Sequence, residues 1–193
     1  MANLDAAAGL IPVRYLNGAP YNGQANTYIH LAASTAPIFI GMGVTLAATG
    51  SDATGKYASV IPGTVTSSVF VGVCVGVHPV DRDSLVYSPG SADRLIFVAD
   101  DPQLVFQIQE VSDGTPLTAA EAGLNANLVQ TATGSTTTGL CGWELNNVGE
   151  VVTATLDVKI LNVSNVIDND LGEHCNWDVR INRHQYVNQL AGI

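Results

Sequence analysis

Positive charge is scarce in this chain. Seven Lys and Arg stand against seventeen Asp and Glu in 193 residues, a formal net charge of −10. Phosphate contacts need clustered Lys and Arg, and no such cluster occurs, so direct nucleic-acid binding is not expected. An anionic membrane surface is disfavoured for the same reason. Charge of either sign is sparse, 12% of residues against 47% hydrophobic. The surface of a soluble monomer usually needs more. Much of this surface is therefore expected to face other proteins. Cysteine is limited to Cys74, Cys141 and Cys175, widely spaced and without a CxxC pair. That argues against a disulfide framework or a zinc site and for reduced thiols in a cytoplasmically assembled protein. The opening MANLDAAAGLIPVR lacks the basic lead and long apolar segment of a secretory signal. No apolar run is long enough to span a bilayer as a helix. Helical periodicity is almost missing as well.

Alternation at period two takes its place. The stretch from Ser68 to Val80 reads SVFVGVCVGVHPV, with Val69, Val71, Val73, Val75 and Val77 predicted to form one apolar ridge. Gly72 and Gly76 interrupt the other face, which implies close approach by another backbone or a bulky side chain. Further strands are predicted over Tyr28–Leu31, Pro37–Leu46, Tyr57–Ile61, Arg94–Ala99, Leu104–Gln109, Leu128–Thr131, Leu140–Leu145 and Trp177–His184. Val152, Ala154, Leu156, Val158 and Ile160 alternate most cleanly and predict one strand running on to Val163. Arg94–Ala99 and Leu104–Gln109 are close enough to pair. Pro62-Gly63 predicts a hairpin between Tyr57–Ile61 and Thr64–Ser67. Thr118-Ala-Ala-Glu121 has the spacing of a capping box, the one short helix expected. Turns between many short strands predict an all-β, single-domain β-sandwich or β-barrel of jelly-roll type. The division expected is an extended N-terminal arm over residues 1–35, a β-domain over 36–184 and a tail over 185–193.

No catalytic arrangement stands out. No GxSxG occurs. Cys74 and His78 would share a strand face but sit more than about 12 Å apart along it. Asp168, Asp170, Glu173 and His174 alternate in a way that resembles a calcium loop, but Gly172 comes one place too early and no helices flank it. That segment, Asn165–Gly172, reads as a polar, solvated loop. Gly41-Met42-Gly43 lacks the third glycine and the helix of a dinucleotide loop. No enzyme, cofactor or metal site is expected.

Leu4, Leu10, Ile11, Val13, Tyr15 and Leu16 are apolar without sustained periodicity. Tyr186, Leu190 and Ile193 repeat that at the other end. Segments of this kind gain stability by lying along another surface, their own domain's or a neighbour's. Several longer stretches carry a resemblance: MANLDAAAGLIPVRYLNGAPYNGQANTYIH, ADDPQLVFQIQE, GLNANLVQTATGSTTTGLCGWEL, and WDVRINRHQ with a terminal Ala-Gly-Ile. Together they resemble the head decoration, or cement, proteins of tailed bacteriophages, over nearly the whole chain and in the same order. The resemblance implies a structural protein on the outer surface of the virion capsid, assembled in the host cytoplasm. Its partners would be the major capsid protein and itself, as a homotrimer or alternatively a dimer. A neck or head-completion protein, or a fibre-associated receptor-binding β-module, is the alternative. On the cement reading the nine apolar residues above are partner contacts, and deleting residues 2–16 would leave a folded protein that no longer binds shells.

Overall fold

The computed structural model describes residues 3–187. Twelve strands and one short 3-10 turn make up its regular structure: β1 Ile11–Tyr15, β2 Asn26–His30, β3 Gly43–Ser51, β4 Ala58–Pro62, β5 Gly72–Val77, β6 Arg94–Ala99, β7 Leu104–Gln109, β8 Asn125–Ala126, β9 Leu128–Ala132, β10 Gly142–Leu145, β11 Val158–Val163 and β12 Asn176–Ile181. The predicted all-β class holds. The order β2-β4-β3-β5-β6 closes into a barrel, with β2 and β4 parallel and the other neighbours antiparallel. A five-stranded antiparallel sheet, β1-β7-β12-β11-β8, packs beside it, and the hairpin β9-β10 completes the second layer. The capping box forms as expected: the Thr118 hydroxyl accepts from Ala120 N, and Glu121 returns a carboxylate to Thr118 N at 2.7 Å.

Two apolar interiors result. The barrel encloses Tyr28, Ile38, Val44, Val60, Val71, Cys74, Ile96 and Val98. The larger core lies between barrel and sheet and centres on Phe70, Phe106, Trp143, Trp177 and Val179. Strand β5 is the wall between them. The single valine ridge is corrected here. Val73 and Val75 face the larger core, whereas Val71, Cys74 and Val77 face the barrel. A register shift between Cys74 and Gly76 breaks strict alternation, as a bulge does. The glycine expectation is met. A Cβ on Gly72 would lie 2.4 Å from the Ala99 carbonyl oxygen, and one on Gly76 would lie 3.3 Å from the Phe97 ring.

Three strand readings fail for identifiable reasons. β6 and β7 do not pair, because the turn at Asp100–Pro102 carries the chain from the barrel to the sheet. Thr64–Ser67 is a turn, so β4 pairs with β3 instead. Its reversal is held by Asp52, whose Oδ1 accepts from the amides of Lys56 and Tyr57. Residues 152–157 are a loop, and β11 starts only at Val158. The Asn182 side chain donates to the carbonyls of Ala154 at 2.8 Å and Leu156 at 3.2 Å, taking the place of a ladder partner.

The boundary at residue 35 is also corrected. Residues 1–35 do not form a separate arm where they are described: β1 pairs with β7 and β2 closes the barrel. Arg14 reaches across to Asp178 on β12 at 3.1 Å. Glycines at 18 and 23 take positive φ, +88° and +86°, which lets the chain reverse within a few residues. Tyr21 N donates to Val13 O and Tyr15 N to Ala19 O, so this reversal covers the free edge of β1. Pro12 removes a donor from that strand, a further block to edge pairing.

Candidate functional site

The structure splits the apolar residues expected to meet a partner. Leu10 is 1% exposed, belongs to the larger core and donates its amide to Gly41 O at 2.9 Å. It is a packing residue, and deletion of residues 2–16 would remove it together with the edge strand. The expected folded truncation is therefore corrected as well. Tyr15 and Val13 are half-buried on β1; the Tyr15 ring packs on the core and its hydroxyl donates to Gln24. Ile11 and Leu16 are exposed at the two ends of that strand, and Leu4 is 80% exposed. Tyr186 is exposed and its hydroxyl lies 3.2 Å from that of Tyr28. Leu190 and Ile193 lie outside the described residues.

One exposed apolar surface sits where the sequence reads as polar. In the 164–172 loop Ile167 is 92% exposed, with Val166 and Leu171 also exposed. The loop is closed from within. Asn169 Nδ2 donates to Ser164 O at 2.8 Å and Asn176 O at 3.0 Å, and its Oδ1 accepts from Asn176 N at 2.7 Å. Asp168 takes a left-handed φ of +58° at its tip, a conformation Asp tolerates better than most residues. Asn3 then stitches the N-terminal segment to this loop. Its Nδ2 donates to Asp170 O and Glu173 O, and its Oδ1 accepts from Asp170 N. Leu4, Val166, Ile167 and Leu171 thus stand on two short segments tied together by side-chain amides. The surrounding Asn and Asp residues mask three aliphatics whose clustering was the available signal.

Behind this rim lies a cleft of about 760 Å³ whose lining includes Asp5, Glu144, His174 and Cys141. Gln109, almost fully buried at the end of β7, positions two of these. Its Nε2 donates to Leu4 O at 2.7 Å and to His174 O at 3.0 Å, and its Oε1 accepts from Ala6 N at 2.9 Å. Asp5 and His174 are in this way hung from one amide. Glu144 projects from β10 and accepts from Thr131 Oγ. The loop acids singled out with His174 in the sequence do not join it here; its acidic neighbours are Asp5 and Glu144.

Other titratable groups are held in unusual states by burial. The Cys74 and Cys141 thiols are pushed up to about 12, and Cys175 to about 11, so all three remain thiols at neutral pH. Burial also pushes Glu110 up to about 7, against the Trp177 indole N–H that donates to it at 2.7 Å. His30, buried against Ser88 in the barrel, is lowered to about 4. No helix among the described residues is long and apolar enough to cross a membrane.

No family model, curated protein or solved structure matches this chain.

Proposed function

We propose that this protein is a structural component of a tailed-phage virion, one that binds the outside of the capsid shell and bridges major capsid proteins. The observation that carries this reading is the closed loop displaying Ile167, Val166 and Leu171 beside Leu4. A loop backbone already tied by Asn169 loses little conformational freedom when the aliphatic side chains it holds out dock, which favours adhesion. The 12% charge content fits a protein much of whose surface faces others. The stretch-by-stretch resemblance to cement proteins points to the same role. Ile11, Leu16 and Tyr186 are the remaining exposed contacts from the sequence reading, and Leu10 is withdrawn from it. Self-association as a trimer at local three-fold positions of the shell belongs to the same proposal. Each contact need only be modest, because many sites on one shell act at high effective concentration.

The test is copy number against the major capsid protein in purified particles. A ratio that matches the shell lattice is expected. A few copies per particle would identify a neck or head-completion protein, and co-purification with fibres a receptor-binding module; either result overturns the proposal. Particles lacking the subunit should also lose resistance to heat and osmotic shock.

A further inference from the structure

We propose that Asp5, Glu144 and His174 bind one divalent transition-metal ion of the Zn2+ class, stapling the N-terminal segment to the hairpin β9-β10 and to the turn before β12. This inference stands on the cleft alone and is independent of the virion reading.

One ligand atom from each residue lies within 4.8 Å of the others. His174 Nδ1 is shut off from solvent and has no hydrogen-bond partner. Its nearest charged neighbour, Asp5 Oδ1, is 3.9 Å away, too far for a hydrogen bond and a small closure short of the spacing of two donors on one ion. A buried ring nitrogen left unbonded costs free energy, and a metal would supply its missing partner. Glu144 is only 5% exposed, yet its carboxylate faces this cleft and not a pairing cation. Two carboxylates and a neutral imidazole carry a charge of −2, which a divalent ion neutralises.

The donor set decides the class of ion. Ca2+ and Mg2+ prefer all-oxygen sites, whereas imidazole nitrogen selects Zn2+ and its first-row neighbours. Three protein ligands leave a fourth position open to water in the cleft. Donor atoms around a tetrahedral Zn2+ stand roughly 3.4 Å apart, so the site must contract by about 1 Å. Asp5 can make that movement, because its side chain is 70% exposed. Gln109 supplies the support such sites need, since its amide fixes the backbone on both sides of Asp5 and at His174. The ligands come from three distant parts of the chain, so no spacing motif marks them.

The experiment titrates the full-length protein with ZnCl2 at pH 7.5 by isothermal calorimetry, with Co2+ as an optical probe and thermal unfolding in parallel. One saturable site is expected, visible d–d bands with Co2+, and a Tm raised by about 5–10 °C at a hundredfold excess over Kd. Asp5→Ala, His174→Ala and Glu144→Gln should each weaken binding by about tenfold or more. Cys141→Ser should bind as the native chain does. Asp5 is exposed, so its variant keeps the fold even if the buried Glu144 variant does not. Absence of saturable binding, equal binding by Asp5→Ala and His174→Ala, or loss of the site in Cys141→Ser would each overturn the assignment.

Discussion

Asp157 is the buried charge on which the junction between barrel and sheet depends. Its side chain is fully buried and its Oδ2 accepts from Thr66 N at 2.7 Å and Leu128 N at 3.1 Å. Arg183 approaches Oδ1 at 3.4 Å while donating to the Thr66 carbonyl at 2.7 Å. The Asp157 carbonyl accepts from the amides of Asn182 and Arg183. One residue therefore pins the turn before β5, the start of β9 and the chain after β12. It also holds Thr66 at φ +66°, a left-handed conformation that a β-branched residue resists. Replacing Asp157 with Ala strands the buried Leu128 amide, costing about 1–3 kcal/mol, frees the half-buried Thr66 amide at a smaller cost, and leaves the buried Arg183 side chain without its counter-charge. The expected loss is about 4 kcal/mol. Asp157→Asn keeps an oxygen for both amides and gives up only the ion pair, which is long and backed by other acceptors for Arg183. Its expected loss is about 1–2 kcal/mol. Trp143 and Trp177 are both buried, so urea unfolding followed by tryptophan fluorescence reads the difference directly. Equal losses in the two variants would mean that the ion pair and not the amide pinning matters. A loss below about 1 kcal/mol for the alanine variant would refute the reasoning outright.

Other outcomes follow from the same structure. Raising Glu110 to about 7 from 4.5 stabilises the fold fully below about pH 4.5 and removes that stability as pH rises to 7; lowering His30 to about 4 from 6.5 works the other way, costing stability as pH falls through the same range. The two oppose each other between about pH 4.5 and 6.5, so His30→Gln should make stability in urea unfolding fall more steeply with rising pH than in the native protein, by up to about 1.4 kcal/mol per pH unit. A titration of the His30 ring by NMR with a midpoint above 6 would contradict this. Gly72→Ala drives a methyl into the backbone of Ala99 and Asp100 and should cost about 3 kcal/mol, whereas Gly76→Ala meets only the Phe97 ring and should cost less than 1; thermal melts of the pair decide. Ile167→Asp should leave Tm unchanged and abolish attachment to shells in a sedimentation assay, and normal attachment would remove Ile167 from the docking surface.

Strands with clean alternation were the easiest to read, even where, as in β7, both faces are buried. Leu104, Phe106 and Ile108 alternate in a region free of Gly and Pro, and β7 spans those residues. Thr118 and Glu121 carried their own local geometry. Pairing was harder, because Asp100-Asp101-Pro102 looks the same whether it joins two strands of one sheet or passes between two layers. The alternation from Val152 to Leu156 misled because a distant side-chain amide, Asn182, satisfies that backbone in a loop. The N-terminal 16 residues are too short and irregular to show that β7 needed an edge partner. The cleft was invisible for a different reason: Asp5, Glu144 and His174 meet only through the folding of β7, β10 and β12.

Strand β5 contributes side chains to both apolar interiors. A partition shared by two rooms cannot be taken down for one of them. Neither half can melt while the other stands, so calorimetry should record one transition whose measured and van't Hoff enthalpies agree. Force applied at either end would then be borne by both halves together.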